Sequence, residues 1–240
     1  MKAALGLVVV VAVLPGCEST ADKSAAIARE GRIAIRASGT LKVKRSGTLR
    51  VARAVVVRGD GGAMAAAVEV RNGGAAAAKE VPVLIDVRGS GGRSLYKNDT
   101  VGLQPALQRL ASVRPHATSW WVNDQVTTAA APRSVKAVVG AAPEVRGTVP
   151  DVALKDVHFD GDATGRYLTG VVVNPSRLVL KNVPIFAVAL KGSRVVAAGR
   201  ALVPKLPAAG GRKQTHFRLF FVGDPRGARI ATTVAPTVAS

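Results

Sequence analysis

From residue 49 onward, apolar and polar positions alternate in short runs broken by Gly, Asp, Asn and Pro. A period of two over five to ten residues is the signal of a strand with one buried and one wet face. In the first part of the chain this pattern predicts seven strands, at residues 49–57, 63–71, 81–88, 93–97, 107–112, 117–123 and 134–139. The clearest is 81–88, where Val81, Val83, Ile85 and Val87 fall on one side and Pro82, Asp86 and Arg88 on the other. Leu41-Lys42-Val43-Lys44 alternates in the same way and predicts an edge strand or hairpin arm. Turn chemistry separates the runs, as in Arg58-Gly59-Asp60-Gly61-Gly62. Two stretches depart from this period. Residues 3–14 are apolar without a break, and residues 24–30 hold helix formers that stop at Gly31, predicting a short helix.

The strand pattern occurs twice. Val68-Glu69-Val70-Arg71-Asn72 returns as Gly170-Val171-Val172-Val173-Asn174, and Lys79-Glu80-Val81-Pro82-Val83 returns as Lys181-Asn182-Val183-Pro184-Ile185, each 102 residues on. Trp120-Trp121-Val122-Asn123-Asp124 returns as Phe220-Phe221-Val222-Gly223-Asp224, 100 residues on. A repeat of this length predicts two tandem domains and not a solenoid. About seven short strands per copy, with turns every ~8–12 residues, is the pattern of an immunoglobulin-like sandwich. The expected fold is therefore all-β: two tandem immunoglobulin-like antiparallel β-sandwiches at 41–142 and 150–238, joined by a linker at 143–149. Pro82 and Pro184 lack an N–H and are expected at a strand start or edge. One ring of each aromatic pair is expected to fill the space between sheets.

Val68-x-Val70-x-Asn72-Gly73-Gly74, the strand at 81–87 and the turn at Arg114-Pro115-His116 before Trp120 resemble the bacterial CARDB and FxLYD groups of immunoglobulin-like domains. The second copy carries the same marks at Val172-x-Asn174, 183–190, and Leu206 to Gly211 before Phe217. The Phe-x-Leu-Tyr-Asp signature itself is absent, and Phe186-Ala187-Val188-Ala189-Leu190 occupies its strand. The arrangement is similar to that of surface lipoproteins from high-GC bacteria. The resemblance implies a fold and a surface setting, and it brings no catalytic residues.

The amino-terminal segment bears on location. Met1-Lys2, the apolar run 3–14 and Leu14-Pro15-Gly16-Cys17 read as a secretory signal peptide over 1–16. Twelve apolar residues are too few for a bilayer-spanning helix. Leu14, Gly16 and Cys17 resemble the lipobox of bacterial lipoproteins. That resemblance implies cleavage after Gly16, a covalent diacylglycerol on the Cys17 sulfur, and a place on the extracytoplasmic face of the cell membrane. Two acyl chains suffice for stable anchoring, at ~0.8 kcal/mol per buried methylene. Cys17 is the one cysteine in the chain and has no disulfide partner. Residues 17–40 then form a tether containing the short helix.

Charge narrows the partners. Lys and Arg number 34 against 15 Asp and Glu, a formal net charge of +19. Between Lys23 and Arg53 there are nine basic residues and one acid, Glu30. Placed just after a lipid anchor, Arg29, Arg32, Arg36, Lys42, Lys44 and Arg45 are candidates for contact with anionic head groups or wall polymers. A solvated charged face is the plainer reading of the same residues. No nucleic-acid-binding motif accompanies the charge, so nucleic acid is not an expected partner.

Catalytic chemistry is sparse. His116, His158 and His216 stand at no metal-ligand spacing, and no G-x-S-x-G occurs. Asp160-Gly161-Asp162-Ala163-Thr164-Gly165 opens like a calcium loop, but Val171 stands where the bidentate Glu belongs, so a plain hairpin turn is favoured. The Arg58-Gly59-Asp60 tripeptide is read as a turn. The expectation is a non-catalytic binding or structural protein of the cell envelope, without metal or cofactor, whose partner is an unidentified envelope protein or wall polymer. The alternatives are an enzyme or accessory subunit acting on wall material, and a carrier for a small apolar ligand using the alanine-rich strand at 63–67.

Overall fold

The computed structural model describes residues 43–100, 102–163, 165–210 and 214–237. The leader, Cys17, the tether helix, and Arg29, Arg32, Arg36 and Lys42 lie outside the described residues. Among those described, the regular structure is thirteen antiparallel strands with a few 3-10 turns.

The first copy supplies β1 (Leu49–Arg58), β2 (Met64–Asn72), β3 (Ala78–Arg88), β4 (Ser94–Lys97), β5 (Arg109–Val113), β6 (Thr118–Asn123) and β7 (Ser134–Val139). They form a sheet β1-β2-β6 and a second sheet in which β3 pairs β5 and β4 along one edge and β7 along the other. The second copy supplies β8 (Ala153–Asp162), β9 (Gly165–Val173), β10 (Leu180–Lys191), β11 (Arg194–Leu206), β12 (Thr215–Gly223) and β13 (Arg229–Val234). These make one six-stranded sheet in the order β13-β10-β11-β12-β9-β8. The pairings repeat: β8-β9-β12 follows β1-β2-β6, and β11-β10-β13 follows β4/β5-β3-β7. The single long β11 occupies the edge that β4 and β5 share in the first copy.

Residues 43–44 lie in coil, where a strand was expected; Arg45 makes an isolated bridge to Gly140. This short segment meets only the end of β7, so no ladder extends along it. Segment 143–149 runs against the start of β3, with Lys79 N donating to Pro143 O at 2.9 Å and Val145 N to Ala77 O at 2.7 Å.

Two apolar cores result. One lies within the second copy and contains Leu168, Val172, Val183, Ile185, Ala187, Phe217 and Leu219. The other contains Val68, Val70, Val81, Val83, Ile85 and Trp121 of the first copy, and it continues through Phe186, Val188, Leu190, Val195 and Ala198 of the second. Strand β10 is therefore buried on both faces: Val183, Ile185 and Ala187 enter one core, while Phe186, Val188 and Leu190 enter the other. Fully buried Ala65 and Ala67 on β2 keep that layer thin enough for close sheet packing.

Pro82 and Pro184 sit inside their strands, not at the starts. Each lies one residue beyond the last rung of an outer strand, and its carbonyl accepts from that side: Gly140 N to Pro82 O at 2.9 Å, and Ala235 N to Pro184 O at 3.2 Å. A strand residue presents N and O to the same edge, so the missing N–H costs no inner ladder bond. Trp121 is fully buried in its own core, as expected of one ring per pair, whereas half-buried Phe221 packs against the edge of its core and also faces a surface cleft. Trp120 is covered by the second copy, whereas its counterpart Phe220 is 44% exposed beside Tyr167.

The six-stranded sheet turns a corner at Gly199. Strand β12 pairs β11 through residues 221–223 and β9 through 215–220. A Cβ at Gly199 would lie 2.1 Å from the carbonyl oxygen of Phe220, so only glycine allows this approach.

Candidate functional site

The two copies share a buried asparagine clamp. Asn72 Nδ2 donates to Ala76 O at 2.8 Å and Arg114 O at 3.1 Å, and its Oδ1 accepts from Gly74 N at 2.9 Å. Asn174 Nδ2 donates to Leu178 O at 2.7 Å and Pro207 O at 2.9 Å, and its Oδ1 accepts from Ser176 N at 3.1 Å. Each side chain ties the turn after a strand to the loop before the aromatic strand. The role is architectural: the amide groups are spent on the backbone of these turns and, for Asn174 Oδ1, also on the Ser176 hydroxyl at 2.7 Å.

Functional chemistry has to be sought where side chains remain available. One such place is a cleft of 610 Å³ where three turns converge. The β1–β2 turn contributes Arg58, Gly59 and Asp60; the β8–β9 hairpin contributes Phe159 and Arg166; the end of β12 and its following loop contribute Phe221 and residues 223–228. Gly223 seals the inner wall. A Cβ there would come within 2.4 Å of Val196 O and 2.8 Å of Val57 Cγ1.

Phe159 and Phe221 form a tilted pair with ring centroids 6.0 Å apart. The Arg166 guanidinium lies 5.7 Å from the Phe159 ring centre. Arg58 donates one Nη2 bond to Pro132 O. Arg226 is locked against Asp224, with Nε 2.9 and 3.0 Å from the two carboxylate oxygens and Nη2 2.9 Å from Oδ2. The hydrogen bond from Arg226 holds the Asp224 carboxyl down to about 2.

The residues singled out from sequence are scattered. Lys44 and Arg45 are exposed at the start of the described chain, away from the cleft. His116 sits in a turn with φ of 52°, the His158 ring lies against the Asp156 carbonyl at 2.7 Å, and His216 is exposed on β12. No group of His, Cys, Asp and Glu able to hold a metal is found among the described residues. Asp160 and Asp162 belong to the β8–β9 hairpin, where Gly161 N bonds Asp160 Oδ1 and Arg218 pairs with Asp162 at 3.1 Å. Of the sequence-level features, the Arg58-Gly59-Asp60 turn and the end of the Phe220–Asp224 repeat block reach the cleft. Phe159, Arg166 and Arg226 carried no sequence signal, because the cleft joins turns from three separate places in the chain, near residues 60, 160 and 225.

The chain matches no protein-family model, no curated protein and no solved structure with which it was compared. Among the described residues, no helix is long and apolar enough to cross a membrane.

Proposed function

We propose that the chain is a lipid-anchored binding or structural protein on the extracytoplasmic face of a bacterial membrane, non-catalytic, and built from two immunoglobulin-like sandwiches of the CARDB and FxLYD kind. The observation that carries the anchor is Leu14-Pro15-Gly16-Cys17 following an apolar run too short to span. The repeated strand pairings and the paired clamps of Asn72 and Asn174 support the tandem architecture. Its partners are anionic lipid head groups, wall polymers or another envelope protein, favoured by the net charge of +19.

Metabolic labelling with a palmitate analogue, followed by fractionation, tests the anchor. Wild-type protein should take the label and sediment with membranes, and Cys17→Ser should do neither. Unlabelled wild-type protein that keeps its leader in the cytosol would sink the proposal.

A further inference from the structure

We infer that the cleft between the β1–β2 turn, the β8–β9 hairpin and the loop after β12 binds an anionic sugar, a hydroxylated ring bearing a carboxylate or a phosphate. Three kinds of group needed for such a ligand face the same 610 Å³ space. That volume falls within the range of small-ligand sites.

The first kind is the oxyanion donor. Arg58, Arg166 and Arg226 line the cleft. Among the described residues Arg166 makes a ring contact and stands in no ion pair, so its guanidinium is available to a ligand. Arg226 uses Nε and one N–H of Nη2 on Asp224, which orients the guanidinium plane and leaves the end-on fork, Nη1 with the outer N–H of Nη2, to donate. A planar fork held in this way suits bidentate recognition of carboxylate or phosphate. Asp224 and Asp60 balance two of the three charges, which leaves one in excess, and Lys191 acts electrostatically on Asp224 from nearby, so the field in the cleft still favours an anion.

The second is an acceptor for hydroxyl groups. Asp60 lines the cleft and stands in no salt bridge among the described residues, though it feels the charge of Arg226. An ionised carboxylate accepts from hydroxyls and repels a bare anion, so it selects a ligand with both kinds of group. The third is an apolar wall. The Phe159 and Phe221 side chains line the cleft as a pair and give it an apolar wall for the C–H side of a sugar ring.

This inference deepens the binding-module reading and rests on it for its biological setting only. The site is tested by titration, independently of Cys17, so failed lipid labelling would leave it standing and failed titration would leave the anchor standing. The ¹⁵N-labelled full chain in detergent micelles is titrated with glucuronate, glucose 6-phosphate, glucose and inorganic phosphate, following the amides of Gly59, Gly223, Asp224 and residues 226–228. At least one of the two anionic sugars should bind tenfold or more tightly than both glucose and inorganic phosphate; which one identifies the anion. Arg166→Ala and Arg226→Ala should each weaken that binding tenfold or more while amide spectra away from the cleft keep the folded pattern, and the remote exposed Arg177→Ala should not weaken it. Anionic sugars binding no tighter than glucose would overturn the inference. Binding matched by inorganic phosphate would also overturn it, as would an equal loss in Arg177→Ala, since each would indicate bare or diffuse charge attraction.

Discussion

Asn98 offers the sharpest test of how the first copy is held together. It is fully buried between β4 and β5, on the edge of β3 that β11 occupies without a break in the second copy. Its side chain stands in for the missing strand: Oδ1 accepts from Ile85 N at 2.7 Å, and Nδ2 donates to Val83 O at 2.7 Å and Leu107 O at 2.8 Å. Gln108 then bonds the Asn98 carbonyl at 2.8 Å, and Trp121 Nε1 bonds Ala106 O at 2.8 Å, pinning the insert that separates β4 from β5. Asn98→Ala removes three buried hydrogen bonds and leaves one N–H and two carbonyls short of a partner. Each such bond is worth about 1 kcal/mol net, and each orphaned group costs about 1–3 kcal/mol, offset where water enters the small hole. The expected loss is about 3–4 kcal/mol. Urea denaturation followed by tryptophan fluorescence reads it directly, since Trp121 packs in the same core. Asn98→Asp should be at least as damaging, because it keeps the acceptor for Ile85 N but turns an oxygen toward two carbonyls. A loss below about 1 kcal/mol for Asn98→Ala would refute the idea that this side chain replaces a stretch of strand.

Three further outcomes follow from the geometry. Gly199→Ala should cost about 2–3 kcal/mol or more in thermal or urea melts, because its Cβ would meet Phe220 O at 2.1 Å and the corner between β11 and β12 must open; near-wild-type stability would refute the corner assignment. Val188→Asp places at 188 the residue that stands 102 positions earlier, at half-buried Asp86 beside Arg88; at fully buried Val188 it should cost at least about 3 kcal/mol in the same melts. Asp224 should titrate at about 2 in carboxyl-detected NMR. Its folded value is depressed below the ordinary 3.8, so its contribution to holding the loop is present above that value and is lost as pH falls through about 2; Arg226→Ala should return the midpoint toward 3.8.

The strands were legible because one-sided burial writes itself into a sequence with period two. All seven runs expected in the first copy are strands, and the inward set Val81, Val83, Ile85 and Val87 is fully buried. Asn98 was not legible: Lys97-Asn98-Asp99-Thr100 has the composition of a turn, and no local pattern distinguishes an amide that faces solvent from one that completes a sheet. The cleft was illegible for a related reason. Its parts come from turns near residues 60, 160 and 225, and turn sequences specify their own backbone but not which other turns they meet.

The packing of one copy on the other did leave a trace, at equivalent positions where the repeats differ. Positions 84, 86 and 88 of β3 are Leu, Asp and Arg and are half-buried; their counterparts 186, 188 and 190 of β10 are Phe, Val and Leu and are buried. The alternation of β3 thereby becomes the unbroken apolar run 183–190, the mark of a strand covered on both faces. The aromatic strands diverge in the opposite sense. Trp120 and Val122 of β6 are buried on the face turned toward the second copy, while Phe220 and Arg218 of β12 face outward. One copy thus contributes the outer face of its β1-β2-β6 sheet and the other the outer face of β10 and β11, so the contact is between unlike surfaces of like folds. A contact of that kind fixes Arg58–Asp60 of the first copy beside residues 223–228 of the second, where Gly59 and Gly223 are close enough for an added Cβ on Gly59 to lie 3.0 Å from Gly223 N. The charge-lined cleft is a product of the asymmetry: no equivalent space can form at the corresponding turns of a chain with one copy, because two of its three walls would belong to a single repeat and the third would be missing.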